Sequence, residues 1–133
     1  MSIIADTNVI VRAIMLDPPA EGRKAMDLLR SDQVVVPTVV FCEMVWVLRR
    51  VYKLSRLDVM QAFRAILGVG AITFDRLAVE AGLSMMEAGG DFADGVIAFE
   101  GRRLGGSVFA TFDRKAAGLI GKSGHDSFLV ATE

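Results

Sequence analysis

The chain has 133 residues, 53% of them hydrophobic and 23% charged, with a net charge of −1 and only 3 prolines. This balance excludes a disordered chain and a proline-rich or collagen-like one, and the lone Cys42 excludes a disulfide-stapled secreted scaffold. A pI near 5.8 gives no global pull toward nucleic acid or anionic lipid, so such a partner has to be held by a local patch.

One domain over residues 1–133 is the expectation at this length. The hydrophobic total is high for a chain this short. A membrane span does not account for it. The most apolar stretch, Val34 to Leu48, is interrupted by Pro37 and Glu43, whereas a spanning helix needs about 20 apolar residues. Asp6 lies close behind Met1 and no basic residue precedes Arg12, so the start does not read as a signal peptide. The expectation is a cytoplasmic protein with no membrane partner.

In chain order, Ser2 to Ala5 is a short strand that stops at Asp6-Thr7-Asn8, a cluster of cap-forming residues. A short helix follows over Val9 to Leu16. Pro18-Pro19 suits the first turn of the next, which runs to Ser31. Val34 to Val36 is an apolar strand closed by Pro37. Thr38 caps a helix reaching Tyr52, and Ser55 with Asp58 forms a capping-box-like start for another to Leu67. Ala71 to Phe74 is a third strand, and Asp75 caps a helix to Ala88. Asp91 caps one that ends near Gly105-Gly106, Ser107 to Thr111 is a fourth strand, Asp113 to Ile120 a helix and Phe128 to Ala131 a fifth strand. Strands apolar on both faces, alternating with helices, predict an α/β fold with a five-stranded parallel sheet and helices on both faces. Ligands of such sheets bind beyond the carboxyl ends of the strands.

That is where the acids fall. Asp6 follows the first strand, Asp113 follows the fourth, and Asp91 and Asp94 open the helix before it, so all are expected at one sheet edge. Each has an ordinary structural explanation too, as an N-cap or as a charge favouring a helix N-terminus. Glu43 is harder to explain that way. Its helical neighbours are Val39, Val40, Trp46 and Val47, with no Lys or Arg within a turn, and burying an unpaired carboxylate is costly. Two like charges about 6 Å apart repel by roughly 3 kcal/mol at an effective dielectric near 20. Four such acids make six pairs, more than about 10 kcal/mol, which rivals a domain's stability of about 5–15 kcal/mol. A converging set must hold protons or a divalent cation, and all-oxygen ligands suit Mg²⁺ or Mn²⁺. Such a site is suited to phosphodiester hydrolysis.

Ile3-Ile4-Ala5-Asp6-Thr7-Asn8, Glu43, Asp91-Phe92-Ala93-Asp94 and Thr111-Phe112-Asp113 together resemble the PIN-domain ribonuclease pattern, over essentially the whole chain. Without an appended domain, the sequence is most similar to the single-domain VapC-type toxins of toxin–antitoxin pairs. The resemblance implies a five-stranded parallel sheet and a metal-dependent endoribonuclease in which Asp6, Glu43, Asp94 and Asp113 are catalytic and hold Mg²⁺ or Mn²⁺. It assigns Asp91 a supporting place, and gives Thr7, Asn8 and Thr111 the task of orienting carboxylates. It also implies an RNA substrate, a homodimer and a silencing antitoxin protein. Gly95 stands where the family commonly has Ala, a change that costs helix propensity but adds no bulk.

Arg49, Arg50, Lys53 and Arg56 cluster near Tyr52, and Arg102-Arg103, Arg114-Lys115 and Lys122 are further candidates for RNA phosphate contacts. Solvated cations at helix C-termini explain any one of them equally well. Gly121-Lys122-Ser123 lacks the Gly at position 116 and the preceding strand of a phosphate-binding loop. His125 has no evident nucleophile partner, and Cys42 reads as a small core residue. A receiver-like signalling module would leave Glu43 unexplained, and its Lys after the fifth strand is missing from Thr132-Glu133. A non-cleaving PIN-like module that binds RNA or protein is the closer alternative.

Overall fold

Strand β1 (Ser2–Ile4) opens the chain in a computed structural model that describes residues 2–31, 33–70 and 72–131. Asp6 caps α1 (Thr7–Met15), which ends where Leu16 turns left-handed at φ 51° and its N–H donates to the Arg12 carbonyl at 2.8 Å. Pro19 starts α2 (Pro19–Ser31), a position where its missing N–H costs nothing. β2 (Gln33–Val35) and α3 (Thr38–Arg50) follow, with Pro37 rather than Thr38 at the N-cap and no side-chain cap bond. The expected cap before α4 (Arg56–Leu67) is present: Ser55 Oγ accepts from the Asp58 N–H at 3.1 Å. Then come β3 (Ile72–Thr73), α5 (Arg76–Glu87), α6 (Phe92–Arg103), β4 (Val108–Thr111), α7 (Arg114–Lys122) and β5 (Asp126–Leu129). β5 starts two residues before the predicted Phe128. Ala71, expected to begin the third strand, and Thr132-Glu133 lie outside the described residues.

The chain divides into two compact units, Met1–Asp75 and Arg76–Glu133. In the N-terminal unit β1, β2 and β3 form a parallel sheet in that order, with Ile3 opposite Val34 and Val34 opposite Ile72. In the C-terminal unit β4 pairs with β5, also parallel, with Val108 opposite Asp126 and Thr111 opposite Leu129. The five-stranded sheet expected from the sequence is thus corrected to one sheet of three strands and one of two. An apolar run makes a strand, but it does not encode which strand edge it pairs with. Here the strands are only two to four residues long, so each ladder rests on a few hydrogen bonds.

Cover on both faces is corrected as well. α7 packs against β4 and β5, but alternate residues of that pair stay open, with Val108 53% and Phe128 55% exposed. Ile4 on β1 is 75% exposed. Part of the apolar surplus is therefore surface, and the rest is core. In the N-terminal unit α3 buries Val40, Phe41, Met44, Val45 and Leu48 along one stripe. The Phe41 ring lies 5.2 Å from Phe63 and edge-on to Phe74 at 6.0 Å. In the C-terminal unit α5 packs along α6, and Met85, Ala98, Ala116 and Ile120 close a cluster against α7. No described helix is long and apolar enough to cross a membrane.

Phe41 is fully buried and meets two other rings, so Phe41→Ala should cost about 3–5 kcal/mol. Urea denaturation should show this as a lower midpoint at an unchanged slope.

Candidate active site

In the N-terminal unit, Asp6 Oδ1 accepts from the Val9 N–H at 3.1 Å, so the N-cap explanation of this residue holds. That bond uses one carboxylate oxygen and leaves the other free. Thr7, the first residue of α1, donates its hydroxyl to Glu43 Oε1 at 3.1 Å, tying α1 to α3. Glu43 is exposed, and the burial expected for it is corrected. α3 turns Val40, Met44 and Leu48 inward, while Val39 and Trp46 remain 61% and 59% exposed on the side Glu43 shares. A helix apolar all round does not say which arc faces the core.

Asn8 and Asp6 line a cleft of about 420 Å³ between α1 and α2, where Arg12 ion-pairs with Glu21 and Lys24 stands nearby. Arg12 lies four residues after Asn8 on α1, so the two share a face.

In the C-terminal unit, Asp91 occupies the N-cap of α6 without making a side-chain cap bond, so capping does not explain it. Asp94 sits one turn in and is half-buried. Burial first, then the charges of Asp91 and Asp113, push its carboxyl above the usual carboxylate range. Asp113 caps α7: its Oδ1 accepts from the Lys115 N–H at 2.9 Å and the Ala116 N–H at 3.2 Å. Its own N–H donates to Thr111 Oγ1 at 3.0 Å, which fixes the turn after β4. Asp91, Asp94 and Asp113 thus interact within one unit.

The start of α6 is held by close packing on α5. The Phe92 ring, 1% exposed, lies where a Cβ on Gly82 would be. A Cβ on Gly95 would come within 2.5 Å of the Ala81 carbonyl oxygen and 2.7 Å of Met85 Cβ. Gly95 is therefore a helix-contact residue, which explains the departure noted in the sequence.

The cations proposed for RNA contact have mixed placements. Arg49 donates to the Leu54 carbonyl at 3.0 Å and Tyr52 to Asp17 at 3.2 Å, so both hold the segment after α3. Arg50 and Lys53 are exposed, Lys53 with a left-handed backbone at φ 59°. Arg102 is half-buried, Arg103 lies over the Phe99 ring, and Arg114 and Lys115 are exposed in the first turn of α7. Gly121 and Lys122 belong to α7 and Ser123 caps its end, so no phosphate-binding loop forms there.

A family model for the PIN domain matches residues 3–119, and the chain belongs to that family, whose members are typically metal-dependent nucleases. No curated protein and no solved structure matches the chain.

The donor chemistry fits a hard divalent cation. The acids offer only carboxylate oxygens, and a cation near Asp94 would offset the burial and the Asp91 and Asp113 charges that raise its proton affinity. Among the described residues, however, no three carboxylate, His or Cys side chains are already grouped as a metal site.

Gly→Ala inside a helix ordinarily stabilises by about 1 kcal/mol, but Gly95→Ala should lower the melting temperature, because its Cβ meets α5. Asp94, its folded pKa raised above the ordinary 3.8, binds a proton more tightly folded than unfolded. Its charge therefore costs stability, increasingly as pH rises from 3.8 through the folded value and fully above it. In chelator, Asp94→Asn should melt higher than wild type at pH 7, with the gap closing toward pH 4.

Proposed function

We propose that this chain is a metal-dependent endoribonuclease, the toxin partner of a VapC-type toxin–antitoxin pair. The observation that carries the reading is the half-buried Asp94 with Asp91 and Asp113 acting on it, in a chain of a nuclease family. The acids that match the family pattern, Asp6, Glu43, Asp94 and Asp113, would hold Mg²⁺ or Mn²⁺. When bound, the cation supplies Lewis-acid activation of water and offsets charge on the phosphate.

The chain's own contribution is orientation. Three of these carboxylates have one oxygen occupied by a structural donor: Val9 N–H on Asp6, Thr7 hydroxyl on Glu43, and Lys115 and Ala116 N–H on Asp113. Each keeps its second oxygen for a ligand, and its rotamer is set before the ligand arrives. Capping and catalysis are compatible uses of the same aspartate. Asp94, half-buried one turn into α6, completes the set that would align the attacking water. Hydrolysis then forms a new P–O bond from that water, breaks the bond to the leaving oxygen and returns a proton to it.

RNA phosphates are taken by Arg50, Lys53, Arg114 and Lys115, which are exposed and make no ion pair among the described residues. The exposed Val39 and Trp46 on α3 support a protein partner, an antitoxin or a second copy of the chain.

RNA cleavage with Mg²⁺ or Mn²⁺ tests this. Glu43→Gln and Asp94→Asn should each lose about 10²-fold or more in rate, the scale of positioned acid–base groups, and a chelator should abolish cutting. Wild-type rates in both variants overturn the mechanism. Binding of RNA without cleavage by the wild-type chain points to the non-cleaving alternative.

A further inference from the structure

We propose that the C-terminal unit carries a nucleotide-binding pocket distinct from its carboxylates, in the hollow bounded by α5, α6 and α7. The hollow measures about 580 Å³, within the range of about 300–1,000 Å³ for small-ligand sites. Its floor is the apolar cluster of Met85, Ala98, Leu119 and Ile120. Arg102 on α6, Lys122 at the end of α7 and His125 before β5 stand around it, and no Asp or Glu lines it. Apolar floor and basic rim match the two halves of a nucleotide: a base that sheds water on the floor, with Met85 offering a sulfur–ring contact, and a phosphate between Arg102 and Lys122 with the His125 ring beside them.

The ordinary explanation of the cations, that they satisfy helix C-termini, fails on the hydrogen bonds. The end of α7 is already closed by backbone: Ser123 N–H donates to the Leu119 and Ile120 carbonyls, Gly124 N–H to Gly121 and His125 N–H to Ile120. The end of α6 is closed by Leu104, Gly105 and Gly106 N–H on the Glu100, Arg102 and Gly101 carbonyls. The side chains of Arg102, Lys122 and His125 make no hydrogen bond or ion pair among the described residues. They are available to an anion.

An acidic peptide fits less well than a nucleotide. Its backbone N–H and C=O groups would need partners on the floor, where only Ser84 and Ser123 add neutral polar side chains, and the Ser123 hydroxyl is already spent on the Ile120 carbonyl at 2.6 Å. On α6 the pocket takes Gly95, Ala98 and Arg102. These follow one face at helical spacing, with Asp94 one turn before Ala98 at the helix start. Asp91, Asp94 and Asp113 are not among the residues that line the pocket.

His125 is the only histidine in the chain, so its imidazole proton resonances report the pocket alone. In the full chain with chelator, adenosine monophosphate should shift them saturably. Inorganic phosphate should bind about tenfold or more weakly, and the double variant Arg102→Gln, Lys122→Gln should loosen the nucleotide about tenfold or more. Glu43→Gln and Asp94→Asn should keep wild-type affinity whether or not the chain cleaves RNA, which separates this pocket from the nuclease reading. A single-stranded oligoribonucleotide binding about tenfold tighter than the mononucleotide assigns the site to an RNA chain, and equal or weaker binding assigns it to a free nucleotide. Four results overturn the proposal: no saturable shift, phosphate as tight as the nucleotide, unchanged affinity in the double variant, or a hexaglutamate peptide that binds tighter than the nucleotide.

Discussion

Asp94 holds its carboxyl half-buried at the start of α6 with Asp91 and Asp113 acting on it, and much of the C-terminal unit is arranged to keep it there. α6 cannot slide away, because the Phe92 ring is seated over Gly82 and Gly95 lets the helix approach the Ala81 carbonyl. Asp113 cannot swing away, because two backbone N–H groups hold it at the head of α7. Charges that repel are thus retained by packing and hydrogen bonding that do not depend on them. An arrangement that costs stability and is kept by other forces is what a ligand-binding or catalytic group looks like.

The N-terminal unit uses a different device for the same end. Its two acids carry no comparable burial, and what organises them is donors: Val9 N–H on Asp6 and the Thr7 hydroxyl on Glu43. Position comes from the α1 start and the α3 stripe, which packs Phe41 into the aromatic cluster while Glu43 stays on the outer side. The expectation that Glu43 would be a buried, unpaired charge failed for a plain reason. Hydrophobicity all round a helix fixes that it packs, but not which arc packs, and here Val39 and Trp46 went outward with the acid.

Much of the architecture was legible beforehand. The order of strands and helices, the caps at Asp6, Ser55 and Asp113 and the start of α6 near Asp91 follow from local chemistry, since cap geometry and periodicity need only a few neighbouring residues. The bond from Thr7 to Glu43 was not legible in this way, because its partner lies 36 residues along the chain. The pocket around Arg102, Lys122 and His125 was not legible. Arg102 and Lys122 read singly as helix-end cations, and His125 as a histidine without a nucleophile partner, until the backbone is seen to close both helices without them.

The sequence by itself determined which segments are strand or helix, which acids stand at their ends and to which family the chain belongs, because each of these depends on residues close together or on their order. Tertiary structure alone decided that the strands form sheets of three and two, that Glu43 faces outward and that Gly95 is a contact. Edge pairing, the choice of a helix's buried arc and the approach of two helices are properties of partners distant in the chain, and a pattern of apolar and polar residues carries no address for them.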